Sequence, residues 1–562
     1  MAQEKSFNVD VAIIGGGTGG VAAALGACAM GRTVVMTEPT KWLGGQLTSQ
    51  AVPPDETPAI EPFGGMRRYR MWRESVRQYY LDHYPVRADI RNALRESWPP
   101  VSFNPWTAEG FNPGGGNVSI LCHEFKVGLA CIESMLMPHE SAGRLRILRR
   151  NEPVAADVDG DRVKAVRVRN VDTGEESVLE AAVFLDATEL GDLLPMTGTE
   201  YVAGFESQAM TGEPTAREAY EPLNQQAVSW TFVLEWTEPC DANIIDKPEQ
   251  YDAWRDYTPE LTPPWPGRMR SLTSVNPMSL KTVQRRLQPS LWNFRRISKP
   301  DHFTDADTRA DLTLVNWPMI DYVAGPLAEV SAEEQAKHLK GAEQQSLSWL
   351  YWLQTEAPRT KEEGGGHGYP ELKLRPDVCG DAPTGLALYP YIRESRRIEA
   401  EFTVCEQHVG KKWRGDAGAE PFADSVGIGH YNIDLHPSTG GDNYIDVPCC
   451  PFRIPLGALI PKRMENLLPA CKNLGVTHLT NGAYRLHPVE WNIGEAAGIL
   501  AAHCADRQVM PRQVRNDEAR LVEFQQLLQG HGIVMQWPRI FSDRPTLWQE
   551  RAEVARVQKV KK

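Results

Sequence analysis

At 562 residues the chain exceeds the length at which one hydrophobic core stops growing, so two intertwined domains with room for an enclosed cofactor are expected. A net charge of -13 and a pI near 5.6 argue against a nucleic-acid partner, and the one basic cluster, at Lys559, Lys561 and Lys562, reads as a solvated end. Ten scattered cysteines without metal or disulfide spacing read as reduced thiols of a cytoplasmic protein, and no apolar run approaches the roughly 18 residues that span a bilayer, so neither a metal site nor a membrane partner is expected.

Taken from the N-terminus, Val11 to Ile14 form an apolar run of buried-strand type, and Gly15, Gly17 and Gly20 follow with G-x-G-x-x-G spacing at the opening of an Ala-rich helix. Such a turn lets backbone approach a pyrophosphate, and the helix N-terminus offers it free N–H groups and partial positive charge. A second strand, Thr33 to Thr37, ends at Glu38, eighteen residues past Gly20, where a carboxylate can accept hydrogen bonds from ribose hydroxyls. A glutamate rather than an arginine there favours FAD or NAD over NADP. The pair Gly44-Gly45 favours FAD, because the chain turns at once through Lys41 to Ser49 instead of entering another helix, and backbone at Gly45 and Gln46 can pass close to a flat ring system. Candidate cofactor contacts in this stretch are Gly15, Gly17, Thr18, Gly20, Glu38, Pro39, Gly44, Gly45 and Gln46.

Residues 51–116 are rich in Pro, Gly and aromatics and read as an insertion beside the cofactor, with one helix bringing Met66, Tyr69, Val76 and Tyr80 near one face. Phe111 to Ser119, FNPGGGNVS, reads as a flexible surface turn, since no P-loop lysine follows it. Phe125, Leu129, Ile132 and Leu136 then recur at helical spacing, and Leu145 to Leu148 form a strand. Turn signals at Asp159-Gly160-Asp161 and Thr173-Gly174-Glu175 bracket the alternating Val166 to Arg169 as an antiparallel meander, whose Val154 is a further candidate contact. An apolar strand, Ala181 to Leu185, delivers Asp186-Ala187-Thr188-Glu189, and Ala187 joins the same set.

Residues 201–442 read as a substrate domain, with a strand from Val228 to Trp236, a helix carrying Ala336, Leu339, Leu347 and Leu350, and a mobile, lid-like loop from Glu362 to Tyr369. Arg393, Glu394, Arg396 and Arg397 read as a structural ion-pair network. His430, Tyr431, Asp434 and His436 form a segment dense in groups that transfer protons. Asn466 to Ala470 is a buried-strand pattern, followed by Asn473 and a polar loop with His478, Asn481, Arg485 and His487. Gly494 to Gly498 is expected to open an Ala-rich helix whose small residues bring backbone close to the flavin, so Asn473 and Gly494 complete the candidate set. Residues 511–562 read as a helical tail.

A βαβ start, an interposed helix, a meander and a buried strand ending in D-A-T is the order used by flavoproteins with two dinucleotide-binding motifs. The expected fold is therefore α/β: a glutathione-reductase-like FAD/NAD(P)-binding Rossmann-type domain built from residues 1–50, 117–200 and 443–510, intertwined with an α+β substrate domain. With both ends in hand, the chain resembles the broad FAD-dependent oxidoreductase family whose members often accompany bacterial carbohydrate-degrading genes. The resemblance rests on GGGTGG with Glu38, WLGGQLT, DATELGDLLP, YIRESRRI, DSVGIGHYNIDLH, and NLGVTHLTNGAYRLHP followed by IGEAAG. It implies noncovalent FAD and hydride passing to flavin N5, and it carries over His436, His478 and Arg485 as catalytic candidates but not His430 or His487. Cys471-Lys472 stands where Gly-Arg is usual and Glu495 where Gln is usual, the latter expected to soften the positive field under the flavin.

The expected reaction is oxidation of a hydroxyl carbon of a small polar substrate such as a sugar. A neutral imidazole, His436 or His478, would take the O–H proton, and Arg485 would polarise the oxygen or bind a carboxylate. Oxidation of a C–N or C–C bond, flavin monooxygenation and a non-enzymatic flavin-binding role are the alternatives. Residue types leave the oligomeric state open.

Overall fold

The first apolar run grows into a ten-residue strand, β1 (Lys5–Ile14), whose last four residues are fully buried. The computed structural model describes residues 5–61, 64–97 and 110–538; the basic C-terminal cluster, part of the expected insertion and the end of the tail lie outside them. After β1 come α1 (Thr18–Ala29) and β2 (Val34–Glu38), which returns parallel to β1 with Val11 opposite Val34. Two helices, α2 (Arg67–His83) and α3 (Ala88–Ser97), precede α4 (Phe125–Ser141). Strand β3 (Leu145–Arg149) then joins β2 in parallel, and β4 (Asn151–Asp159), β5 (Arg162–Asn170) and β6 (Glu176–Asp186) form the antiparallel meander read from the two turn signals.

The sheet runs β3-β2-β1-β6-β5-β4, with the short strand Leu467–Pro469 also paired to β6. β6 lies parallel to β1 from Ser177 to Asp186, while its other edge is divided: residues 176–180 take β5, and Phe184 to Asp186 take Leu467–Pro469. One strand thus closes a parallel, Rossmann-like core and starts the meander. This is a mixed α/β architecture.

Helix α1 buries every residue from Thr18 to Cys28, so it shows no polar face. One side meets the sheet and the other the helix His487–Arg507. Contact between the two helices is close because both present small residues: a Cβ on Gly494 would lie 2.0 Å from the Gly19 carbonyl oxygen, and one on Gly498 would lie 2.1 Å from that of Ala23. The expected helix start at Gly494 is therefore wrong. The helix opens at His487 with Pro488 in its first turn, where a missing N–H costs nothing, and Gly494 sits two turns inside, packed on α1.

A second reading is also overturned. Phe111 to Ser119 is not a surface turn: Phe111 is 5 % exposed and packs on Tyr80 and Phe303. The Asn112 amide donates to the carbonyls of Gly116 and Ser119 at 3.0 Å and accepts from Cys122 N–H at 2.8 Å, folding the glycines inward. The helix expected from Met66, Tyr69, Val76 and Tyr80 is α2, which also buries Arg73 and Arg77 against Glu56 and Glu61.

Residues 201–442 contribute a separate antiparallel sheet of Arg296–Ser298, Leu312–Val315, Phe232–Trp236 and Leu372–Leu374, in that spatial order. The helix Ala332–Thr355 covers it with Trp349, Leu350 and Leu353, and its N-terminus is capped by Ser331, which accepts from Glu334 N–H at 3.2 Å. The Glu362 to Tyr369 loop is tied at both ends, by Arg359 to the Glu363 and Gly368 carbonyls and by Tyr369 to Glu363.

Candidate functional site

The dinucleotide turn is built as its spacing implies. Gly15 has a φ of +107°, and a Cβ there would lie 2.2 Å from the Ala187 carbonyl oxygen; one at Gly20 would lie 2.0 Å from that of Gly15. Those positions pack turn, strand and helix. Gly17 differs, because a Cβ there would meet Glu189 Oε1 at 3.1 Å and nothing else nearer than 4.0 Å. It is the N-cap of α1 and, having no side chain, leaves its own backbone exposed to an approaching group.

Glu38 closes one side of this turn. Its carboxylate lies 2.9 Å from where a Cβ of Gly16 would be, accepts Thr40 N–H at 2.8 Å, and is pushed up to about 7 by burial against those hydrogen bonds. Pro39 is held through its carbonyl by Arg150 at 2.9 Å. Val154 sits where β4 shifts register against β5, the kind of bulge that re-aims a residue. Ala187 N–H donates to the Ile14 carbonyl at 2.8 Å. Asn473, also expected near the cofactor, spends its amide on the Asp186 carbonyl at 3.0 Å.

Gly44 and Gly45, both at positive φ, fold back onto the same turn: Gly44 N–H donates to the Gly16 carbonyl, Thr18 Oγ1 donates to the Gly44 carbonyl at 2.9 Å, and a Cβ at Gly45 would lie 2.9 Å from Gly17 Cα. From there Gln46 reaches onward, its amide donating to the Arg485 carbonyl at 3.0 Å and to Glu490 Oε2 at 2.6 Å. Glu490 also accepts Gly19 N–H at 3.2 Å, and burial raises it to about 7 against the attraction of Lys472. Lys472 pairs with Glu189, so the departure from Gly-Arg at this point keeps a positive charge beside two carboxylates at the start of α1. The backbone cradle at Gly17, the glycine-lined start of α1 and the carboxylate at Glu38 together fit an adenosine diphosphate group. The Glu495 departure is explained differently from expectation. Its carboxylate pairs with Arg68 and accepts from Trp491 Nε1 at 3.1 Å, so it is neutralised on the α2 side of the helix.

Beyond Gln46 lies the proton-transfer cluster. His436 Nδ1 lies 2.6 Å from Asp321 Oδ2, with the histidine side chain one-fifth exposed and the aspartate 1 % exposed. Asp321 further accepts from Ser229 Oγ at 2.6 Å and Tyr444 OH at 3.2 Å, and pairs with Arg393 at 3.1 Å. Burial alone would raise this carboxyl, but His436 and Arg393 hold it far below the usual carboxylate range. Nδ1 therefore carries the hydrogen, leaving the Nε2 lone pair free. Burial and Arg393 push the imidazole below its ordinary 6.5 against the pull of Asp321, so it is neutral near pH 7.

Arg485 sits between the cluster and the cofactor turn, donating to Tyr391 OH and the Asp434 carbonyl at 2.8 Å each. Tyr391 in turn lies under Arg393, 4.8 Å from guanidinium carbon to ring centre.

His478 does not join this group. It is 1 % exposed, pairs with Glu394 at 2.9 Å and stacks on Phe205 at 4.3 Å. Glu394 also meets Arg397, which meets Glu206, so these two YIRESRRI charges form a buried network, while Arg396 pairs with Glu329 and Arg393 belongs to the Asp321 cluster. His430 is held by Thr57 Oγ1 at 3.0 Å, and His487 accepts Asp55 N–H at 3.0 Å. Asp321 and Tyr444 were missed in the sequence, where neither stands in a recognisable motif; Tyr391 stood inside one read only for its charges.

Solved structures similar in part include the L-proline dehydrogenase from P. horikoshii (17 % identity, 37 % of this chain and 26 % of that one, TM-score 0.17). Two more are the flavin-dependent monooxygenase PieE in complex with FAD and substrate (14 %, 60 % and 47 %, 0.25) and the 3-ketosteroid-Δ4-(5α)-dehydrogenase from Rhodococcus jostii RHA1 (16 %, 44 % and 60 %, 0.20). The chain spans less than two thirds of the length of each of these three. No curated protein sequence matches it. Residues 10–528 match the family described as FAD dependent oxidoreductase, nearly the whole chain, and the protein belongs to that family of FAD-using enzymes.

Proposed function

We propose that this chain is a dehydrogenase or oxidase that takes hydride from a hydroxyl-bearing carbon of a small polar substrate, a sugar or related compound, with His436 as the base. The flavin, when bound, supplies the hydride acceptor at N5. His436 Nε2 removes the hydroxyl proton as the carbon loses hydride, and Asp321 fixes the ring and stabilises the imidazolium that results. Arg485, fully charged and donating to Tyr391, is placed to polarise the substrate oxygen. The observation that carries this reading is the His436–Asp321 pair: a buried carboxylate gripping one nitrogen of a partly exposed ring and leaving the other free. The sheet with its meander supports a glutathione-reductase-like class and the division into residues 1–50, 117–200 and 443–510 against 201–442. Ten free thiols, nine of them buried, support a cytoplasmic setting.

Anaerobic addition of sugars, hydroxy acids and amines to the FAD-loaded enzyme tests the reading through bleaching of the flavin absorbance. A hydroxyl compound should reduce the wild type and not His436→Asn. Reduction by NAD(P)H alone would favour a monooxygenase and sink the proposal, as would full-rate reduction of the variant.

A further inference from the structure

With 73 acidic residues against 60 Lys and Arg, a buried arginine in this chain has no shortage of partners. Arg73, Arg393 and Arg397 are buried and each pairs with a carboxylate. Arg270 does not. It is 4 % exposed, donates from Nη2 to the Gln345 carbonyl at 3.1 Å, and among the described residues its Nε and Nη1 have no acceptor. The Trp254 ring lies against the guanidinium, 5.9 Å to its centre. Burial lowers its pKa to about 9, opposed only by the Tyr251 phenol. A second arginine, Arg285, donates to Ser274 Oγ at 2.9 Å and to the Val275 carbonyl at 3.5 Å. Among the described residues neither makes an ion pair.

Each is linked to Asp321 through intervening residues, Arg270 through Gln345 and Arg285 through Val275 and Tyr444. Gln345, whose carbonyl takes Arg270, donates from its own amide to the Asp321 carbonyl at 3.1 Å. Met269, adjacent to Arg270, packs with Val275 and Tyr444 in one apolar cluster, and Tyr444 donates to Asp321. A guanidinium held in an interior without a counter-charge is a costly arrangement. Its planar donors match a carboxylate.

We propose that Arg270, with Arg285 as a supporting charge, binds a carboxylate of the substrate, so that the compound oxidised is a hydroxy acid or sugar acid rather than a neutral sugar. This rests on the reading of His436 and Asp321 as the oxidation site, but it concerns recognition rather than proton removal.

Thermal unfolding of the FAD-loaded enzyme tests it, with sodium glycolate, lactate and gluconate compared at matched ionic strength with chloride, glycerol and sorbitol. The carboxylates should raise the unfolding midpoint saturably, and chloride and the polyols should not. Arg270→Gln should abolish the response while its own midpoint in chloride equals or exceeds that of the wild type, and Arg285→Gln should shift saturation several-fold higher. If Arg270→Gln does not fold, Arg270→Lys, which keeps the charge but loses the fork, should need about tenfold more carboxylate. His436→Asn should keep the carboxylate response while losing flavin reduction, which separates failure of this inference from failure of the reaction assignment. The inference is overturned if no carboxylate moves the midpoint, if the response survives Arg270→Gln, or if Arg270→Lys responds like the wild type.

Discussion

Asp321→Asn changes one heavy atom and, on the structure, two properties of different kinds. The carboxylate oxygens at 2.6 Å from His436 and 3.1 Å from Arg393 become one carbonyl and one amide. If the amide faces the ring, Nδ1 must accept, the hydrogen moves to Nε2, and the base is blocked. Loss of general-base catalysis lowers the rate by roughly 10²–10⁴, or about 3–5 kcal/mol of barrier. Leaving Arg393 buried without its counter-charge costs a similar 3–5 kcal/mol of stability. Because the two effects are alike in size, rate must be read on folded, flavin-loaded protein, by anaerobic stopped-flow reduction across pH. In the wild type the base must be neutral and its pKa lies below 6.5, so the rate should fall only on the acid side of that value and be flat above it. Asp321 is the partner that raises the histidine; without it the acid limb should move to lower pH while the plateau drops. Tyr444→Phe, which removes one donor to Asp321, should cost only about 1 kcal/mol. A plateau within threefold of wild type in Asp321→Asn, with flavin retained, would refute the assignment of His436 as the base.

Glu38→Gln should weaken FAD binding by about tenfold or more at pH 8, above the value of about 7 at which Glu38 ionises, the loss of a hydrogen bond to a charged acceptor, read by fluorescence titration of the apoprotein; unchanged affinity would remove Glu38 from the ribose site. Gly498→Val should destabilise the fold by at least the 1–3 kcal/mol typical of overpacking, because its Cβ meets the Ala23 carbonyl rather than a side chain that can yield; a thermal midpoint equal to wild type would contradict the close approach of the two helices.

What could be read from the sequence was local. β1, the glycine turn, α1 and Glu38 lie within one stretch whose periodicity switches from strand to helix, and the meander announces itself by two turns at fixed spacing. Pro488 could have marked the true helix start, but the run of small residues from Gly494 drew attention two turns too late. Those small residues pack on α1. Glycine content likewise misled at Phe111 to Ser119, where one asparagine satisfies the backbone and permits burial. The site itself was half legible. His436 and His478 look alike as residues, and only their partners separate them: a partly exposed ring on Asp321 against a ring sealed between Glu394 and Phe205. Asp321 lies 115 positions from His436, a pairing no local pattern encodes.

The meander has a practical consequence. Its tips, at Gly160 and Gly174, open onto free space, while its strands carry the chain back to the buried end of β6 at Asp186. Exposed turns of this kind accept inserted sequence well. An affinity tag, a fluorescent reporter or an electrode tether grafted there would be anchored to the seven-stranded sheet without entering either the nucleotide turn or the His436 cluster, which makes these two glycines the natural handles for immobilising the enzyme.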